Sequence, residues 1–163
     1  MKFSYIVILV ITFFVSGSLA IAQTSSGTQE YGDGGAYDGE FLTGLPHGNG
    51  TYELPNGYRY IGEWFEGEIN GQGEALFPNG SVYVGSFVKG KPEGSGKITF
   101  SDGGTYEGEW ANGSITGVGY AKYANGTTYQ GTFIDAMHDG NGIMKSPDGY
   151  IYDGTWENGV KQG

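Results

Sequence analysis

Two histidines, His47 and His138, are the side chains here best suited to bind a metal ion or shuttle a proton near neutral pH. Paired carboxylates are the next candidates. Glu40 and Glu63 hold equivalent positions 23 residues apart, and Glu107 and Asp153 are related in the same way across two such steps. Two carboxylates at the right separation can hydrolyse a glycosidic bond. Gly-x-Gly pairs begin at Gly48, Gly71, Gly94, Gly117 and Gly140, a type of sequence that can cradle phosphate. Asp33-Gly34-Gly35 has the composition of a calcium loop.

Spacing decides among these, because the whole chain is periodic. Tyr37, Tyr60, Tyr83, Tyr106, Tyr129 and Tyr152 are each 23 residues apart. Each opens Tyr-x-Gly-x-aromatic, closing on Phe41, Trp64, Phe87, Trp110, Phe133 and Trp156. A fixed register of this kind is one supersecondary unit stacked on copies of itself. In the second unit Tyr60, Gly62 and Trp64 share one parity and Ile61 and Glu63 the other, which is strand periodicity. A turn around Gly67 leads to a second alternation, with Gly71, Gly73, Ala75 and Phe77 on one face. Asn79-Gly80 closes the unit, matching Asn56-Gly57, Asp102-Gly103, Asn125-Gly126 and Asp148-Gly149. Such pairs predict hairpin turns, since both residues tolerate positive φ.

The predicted fold is all-β: an elongated single-layer antiparallel meander of 23-residue hairpins. About eleven or twelve strands at ~4.8 Å spacing would span roughly 50 Å. Rings lying over bare glycine backbone are the predicted core, because ring coverage offsets the weakness of glycine in a strand. The opposite parity, with Asp38, Glu40, Glu63, Glu107, Glu109, Gln130 and Thr132, is expected to be solvated.

This geometry weakens each catalytic candidate. Four units at ~9–10 Å separate the histidines by nearly 40 Å. Adjacent equivalent carboxylates stand ~10 Å apart, just beyond the inverting-glycosidase window. No Gly-x-Gly pair continues to a third phosphate-loop glycine or to Gly-Lys-Ser/Thr. Asp33-Gly34-Gly35 lacks a nonapeptide period. No catalytic, cofactor-binding or metal residue is assigned, and no small-molecule substrate is inferred.

Ile6 to Val15 is apolar, Lys2 precedes it, and Ala20-Ile21-Ala22 follows, so residues 1–22 read as a signal peptide cut after Ala22. The alternative is an uncleaved signal anchor tethering the protein to a membrane. Residues 23–30 read as a flexible polar leader. The array covers 31–163, with units starting at 37, 60, 83, 106, 129 and 152. Removing Lys2 with the signal leaves 7 basic against 18 acidic residues, a net charge of −11. That excludes nucleic acid and weighs against anionic membrane surfaces. No cysteine is present, so no disulfide forms.

The motif Tyr-x-Gly-x-Trp/Phe, Gly-x-Gly, Asn/Asp-Gly at this period resembles the MORN (membrane occupation and recognition nexus) repeat family over residues 37–163. The family's frequent His-Gly before the second strand is matched only at His47-Gly48; Asn70, Glu93, Thr116 and Asp139 stand there elsewhere. The resemblance implies a binding or scaffolding role and no enzyme activity. The expected function is a non-enzymatic, exported protein-interaction or scaffolding module, periplasmic or extracellular. The alternatives are an envelope carbohydrate-binding or glycan-processing protein, or a peripheral membrane-associating module. The sixth unit stops halfway, at Gly163. Strand 152–156 is therefore expected to end the sheet with an open edge that recruits a protein partner or a second copy.

Overall fold

The computed structural model describes residues 23–163. The signal-peptide assignment for 1–22 lies outside them. Among the described residues all regular structure is β, in one antiparallel sheet whose strands follow chain order. The strands are β1 (Thr24–Glu30), β2 (Ala36–Leu42), β3 (Leu45–Glu53), β4 (Arg59–Phe65), β5 (Glu68–Leu76), β6 (Val82–Val88) and β7 (Lys91–Thr99). They continue as β8 (Thr105–Ala111), β9 (Ser114–Lys122), β10 (Thr128–Ile134), β11 (Met137–Lys145), β12 (Ile151–Glu157) and β13 (Val160–Lys161). Each of the first five units is a seven-residue strand followed by a nine-residue strand.

The two ends of the unit turn differently, and here the sequence expectation is corrected. After the aromatic, two residues close the hairpin: Leu42 pairs with Leu45 around Thr43-Gly44, and Phe65 with Glu68 around Glu66-Gly67. Both loop residues have positive φ, 50° at Glu66 and 86° at Gly67. That is the type I′ geometry whose twist matches the flanking strands. The Asn/Asp-Gly ends use a wider turn. Only Gly57 is left-handed there, at 91°. Its N–H donates to the Leu54 carbonyl at 3.0 Å, and Leu54 N–H to the Tyr58 carbonyl at 2.9 Å. Asn56 stays right-handed because its Oδ1 accepts the Tyr58 N–H at 2.9 Å. The Asn side chain thus acts as a local clasp instead of supplying positive φ.

The type I′ turns also join the units. Gly67 N–H donates to the Pro46 carbonyl and Gly90 N–H to the Ile69 carbonyl, both at 2.9 Å and both reaching back one unit. Ala136, in the slot glycine fills elsewhere, adopts φ 63° and still donates to Ile115 at 3.0 Å.

The core lies on one face, as the parity predicts. Tyr37, Tyr60, Tyr83 and Tyr129 are fully buried, with Tyr106, Trp64, Phe87, Trp110, Phe133 and Trp156 close behind, while Phe41 is half-buried. It is the tyrosine ring that covers the glycines: a Cβ on Gly50, Gly73, Gly96, Gly119 or Gly142 would run into the tyrosine opening the same unit. The Phe and Trp rings do another job. They stand edge-on to tyrosines, each bridging the tyrosine of its own unit and that of the unit before.

Residues 24–30, expected as a flexible leader, form β1 instead. The strand pairs with β2 along its length, Thr24 opposite Leu42 and Glu30 opposite Ala36. The expectation failed because its side chains are nearly all exposed, so no apolar alternation marks it. Backbone bonding to an open edge is enough to order it. At the other end β13 begins the second strand of the sixth unit, pairing Lys161 with Trp156 and Val160 with Glu157. That strand, expected to be missing, is present in part.

Gly96→Ala should cost about 1–3 kcal/mol, since the new methyl collides with the Tyr83 ring. Gly27→Ala, with open space around it, should change stability by less than about 0.5 kcal/mol. Urea melts of the two variants that give equal losses would show that ring coverage does not set glycine usage.

Candidate interaction site on the ring-bearing face

Twelve rings run end to end across the sheet, from Phe41 through Tyr37, Trp64, Tyr60, Phe87, Tyr83, Trp110, Tyr106, Phe133, Tyr129 and Trp156 to Tyr152. Neighbours meet edge to face at centroid distances from 4.9 to 5.8 Å. This arrangement sets the positive ring edge against the negative face of the next ring. Each tyrosine hydroxyl donates to the carbonyl three residues on, as Tyr83 does to Ser86 at 3.0 Å and Tyr152 to Thr155 at 2.8 Å. Burial raises the pKa of Tyr37, Tyr60, Tyr83, Tyr106 and Tyr129. Tyr83 is pushed up to about 12 by loss of solvent and then by the charge of Glu93. Tyr106 rises to about 12, again chiefly through burial, and Tyr60 rises further for the same reason.

The ladder leaves a row of clefts beside it. One is lined by Phe77, Tyr83, Pro92, Ile98, Phe100, Trp110 and Gly113 among others. The next is lined by Phe100, Tyr106, Ile115, Ala121, Tyr123, Phe133 and Ala136 among others. These are the same slots moved on by one unit, and Phe100 is the shared wall. A third cleft, two units earlier, uses the same slots at Tyr31, Tyr52, Trp64 and Gly67. The walls are half-open rings: Phe100 is 38% and Tyr123 39% exposed. In the third cleft Trp64 is buried, and its indole Nε1 has no hydrogen-bond partner. Its counterparts are satisfied, Trp110 by the Gly96 carbonyl at 3.2 Å and Trp156 by that of Gly142 at 3.3 Å.

The structure separates the residues proposed for chemistry. His47 is on β3 and His138 on β11, eight strands apart in the sheet order. His47 lies 5.3 Å from the Phe65 ring. His138 replaces the proline or isoleucine of other units and stacks on Tyr129 at 3.6 Å. Its Nε2 shares a 2.6 Å hydrogen bond with the Tyr123 hydroxyl, and burial holds its pKa below the usual range. Glu40 and Glu63 do not face each other. Each spans a bulge in its own unit, where one residue of the first strand opposes three of the second. The Glu63 carboxylate accepts the Gln72 N–H at 2.7 Å, and Glu40 the Asn49 N–H at 3.1 Å. The expected solvated face holds for Asp38, Glu40, Glu63, Glu107, Glu109 and Gln130, which are exposed, while Thr132 is half-buried. Sequence reasoning missed the clefts. Their signal was the aromatic two residues before four of the six Asn/Asp-Gly turns, at Tyr31, Phe77, Phe100 and Tyr123.

A family model described as MORN repeat matches residues 37–57, 60–82, 83–105, 106–128, 129–149 and 152–163. No curated protein matches the chain. Among solved structures, the chain is similar to the TCP domain of SAS-4 (dCPAP) of Drosophila melanogaster, solved in complex with a proline rich motif of Ana2 (dSTIL). The identity is 13%, covering 91% of this chain and 99% of that one, with a TM-score of 0.43. It is also similar to the wild-type TCP10 domain of Danio rerio CPAP in complex with a peptide of Danio rerio STIL. There the identity is 17% over 83% of this chain and 70% of that one, with a TM-score of 0.42.

The ladder sets an alkaline limit. A tyrosine whose folded pKa lies above its unfolded value of about 10 contributes full stability below pH 10. That contribution is lost as pH rises through about 12, the folded value of Tyr83 and Tyr106. The fold should persist at pH 9 and unfold between pH 10 and 12, with tyrosinate absorbance and loss of β circular dichroism rising together. Ionisation of all the tyrosines near pH 10 with the sheet intact would contradict a buried ladder.

Proposed function

We propose that this chain, which belongs to the MORN repeat family, is a non-enzymatic binding array that holds an extended protein segment on its ring-bearing face. The observation that carries this is the recurrence of one cleft at the same slots in successive units. A row of identical shallow clefts suits a linear ligand that meets each in turn, and a substrate to be turned over would need converging polar groups instead. A net charge of −10 for the whole chain, and −11 without Lys2, favours a neutral or basic partner. It disfavours acidic glycans and anionic lipid surfaces. We assign export as well, on the strength of the charged, apolar and small-residue segments of 1–22.

Crosslinking of the protein in its native envelope fraction, followed by mass mapping, should place partner peptides on Phe77, Phe100 and Tyr123. The recovered chain should begin at Gln23. Crosslinks confined to the opposite face, around Val84 and Lys97, would defeat the reading. A full-length chain in the membrane pellet would replace the cleaved signal with an anchor.

A second reading has its own observation. Among the described residues β12 is paired on its outer side only at Trp156 and Glu157, and the backbone groups from Ile151 to Gly154 have no strand beside them on that side. The Thr155 carbonyl accepts the Gln162 N–H at 2.9 Å and so points outward. Asp153, two residues back, points its N–H the same way. This edge can recruit a partner strand or a second copy in an antiparallel two-fold dimer. Light scattering well above micromolar concentration should show a dimer that Asp153→Pro abolishes. A monomer before the substitution removes self-association and leaves the edge to a different protein.

A further inference from the structure

The pitch of the array selects the conformation of its ligand. Successive clefts are two strands apart, a spacing of ~9.6 Å. An extended β-strand returns a side chain to the same face every ~6.8 Å and falls out of step at once. An α-helix does so every seven residues, at ~10.5 Å. Over the four units between Tyr31 and Tyr123 it drifts by more than ~3 Å. A polyproline II helix has three residues per turn and a 3.1 Å rise, returning every ~9.3 Å. Its drift over the same distance is ~1 Å, within what side chains absorb.

Two further observations point the same way. The Trp64 indole N–H is a buried donor without a partner, and the Trp64 ring lines the cleft formed with Tyr31 and Tyr52. A polyproline II segment makes no internal hydrogen bonds, so its carbonyls are free to accept such a donor. Aromatic walls with a free donor are how grooves read this conformation. Charge gives the rest of the chemistry. The cleft linings are balanced in charge, Glu68 with Lys89 in one and Asp102 with Lys122 in another, so the preference for a basic segment comes from the net charge of −11 without residues 1–22, whose field is felt on both faces of a sheet one layer thick.

We propose that the ring-bearing face binds a basic polypeptide segment in the polyproline II conformation, with an apolar side chain at every third position. The segment runs along the array, across the strands. About thirteen residues span the clefts from Tyr31 to Tyr123. This deepens the proposed peptide-binding reading and rests on it.

The test uses the protein from Gln23 onward and three fifteen-residue probes followed by fluorescence anisotropy. The first repeats Leu-Pro-Lys five times. The second has the same composition with the leucines spaced alternately by two and four. The third replaces every lysine with glutamate. The first should bind, and the other two at least tenfold more weakly. Phe100→Ser should weaken the first by at least fivefold and Trp64→Phe by at least threefold. Val118→Ser, at an exposed position outside the clefts, should leave it unchanged. Circular dichroism excludes misfolded variants, and amide exchange of the unmutated protein supplies a second readout, with protection at Phe77, Phe100 and Tyr123. Equal binding of the first two probes overturns the three-residue period while leaving peptide binding standing. No binding of the first probe at millimolar concentration overturns the proposal outright, and the envelope crosslinks judge the broader reading separately.

Discussion

A single layer of sheet has no second layer to bury its apolar face, and the structure meets that constraint with tyrosine on glycine. Each tyrosine lies across the paired glycines of its own unit, so ring and backbone come into van der Waals contact where no Cβ fits. The hydroxyl then reaches the carbonyl three residues on. One side chain thereby desolvates two strands and satisfies its own polar tip. The Phe or Trp that follows carries the contact to the unit before, so the rings form one continuous chain. Cooperativity between units runs through these edge-to-face contacts and through the turn N–H groups that bond one unit back.

The same constraint produces the bulge. Seven residues face nine in each hairpin, so the second strand must loop out near its middle. Gly71 takes φ 114° there, and the Glu63 carboxylate fills the gap by accepting the Gln72 N–H. Where Ser86 or Thr132 stands in place of Glu, the shorter side chain leaves room for a Cβ on Gly94 or Gly140 in ordinary van der Waals contact, where the Glu63 or Glu109 side chain would collide with one on Gly71 or Gly117. A carboxylate that looks catalytic by its regular spacing is thus a structural filler with a regular job.

What was legible in the sequence follows from what repeats. The 23-residue period, the strand parity and the buried face all depend on side chains recurring six times, and the structure agrees with each. Features without a side-chain signature were not legible. β1 is held by backbone pairing, and its nearly all exposed side chains show no alternation. The Asn56 turn looked like a type I′ pair, yet the true type I′ turns lie at the other end of the unit and carry Thr43, Glu66 or Lys89 in first place as readily as Asn112, Asp135 or Asn158. Propensity gives way there to the twist the flanking strands demand. His138 looked like a candidate for proton chemistry because of its residue type; its slot, held elsewhere by Pro92 or Ile115, marks it as a packing residue.

The clefts arise from the fold's least constrained slot. Between the ladder and the Asn/Asp-Gly turn the array carries Tyr31, Leu54, Phe77, Phe100 and Tyr123; Tyr31 and Phe77 pack against the core, Leu54 is half-buried, and Phe100 and Tyr123 are exposed. Nothing in the ladder requires a large apolar side chain there, since Ser146 holds the slot in the fifth unit. Exposed rings also carry a solubility penalty that a solvated hydroxyl would avoid. Their recurrence at the fold's own pitch is therefore better accounted for by a ligand than by the sheet. On the proposed reading, strand spacing fixes that pitch, so changing the residues at this slot would alter which side chains a ligand must offer without altering the period at which they arrive.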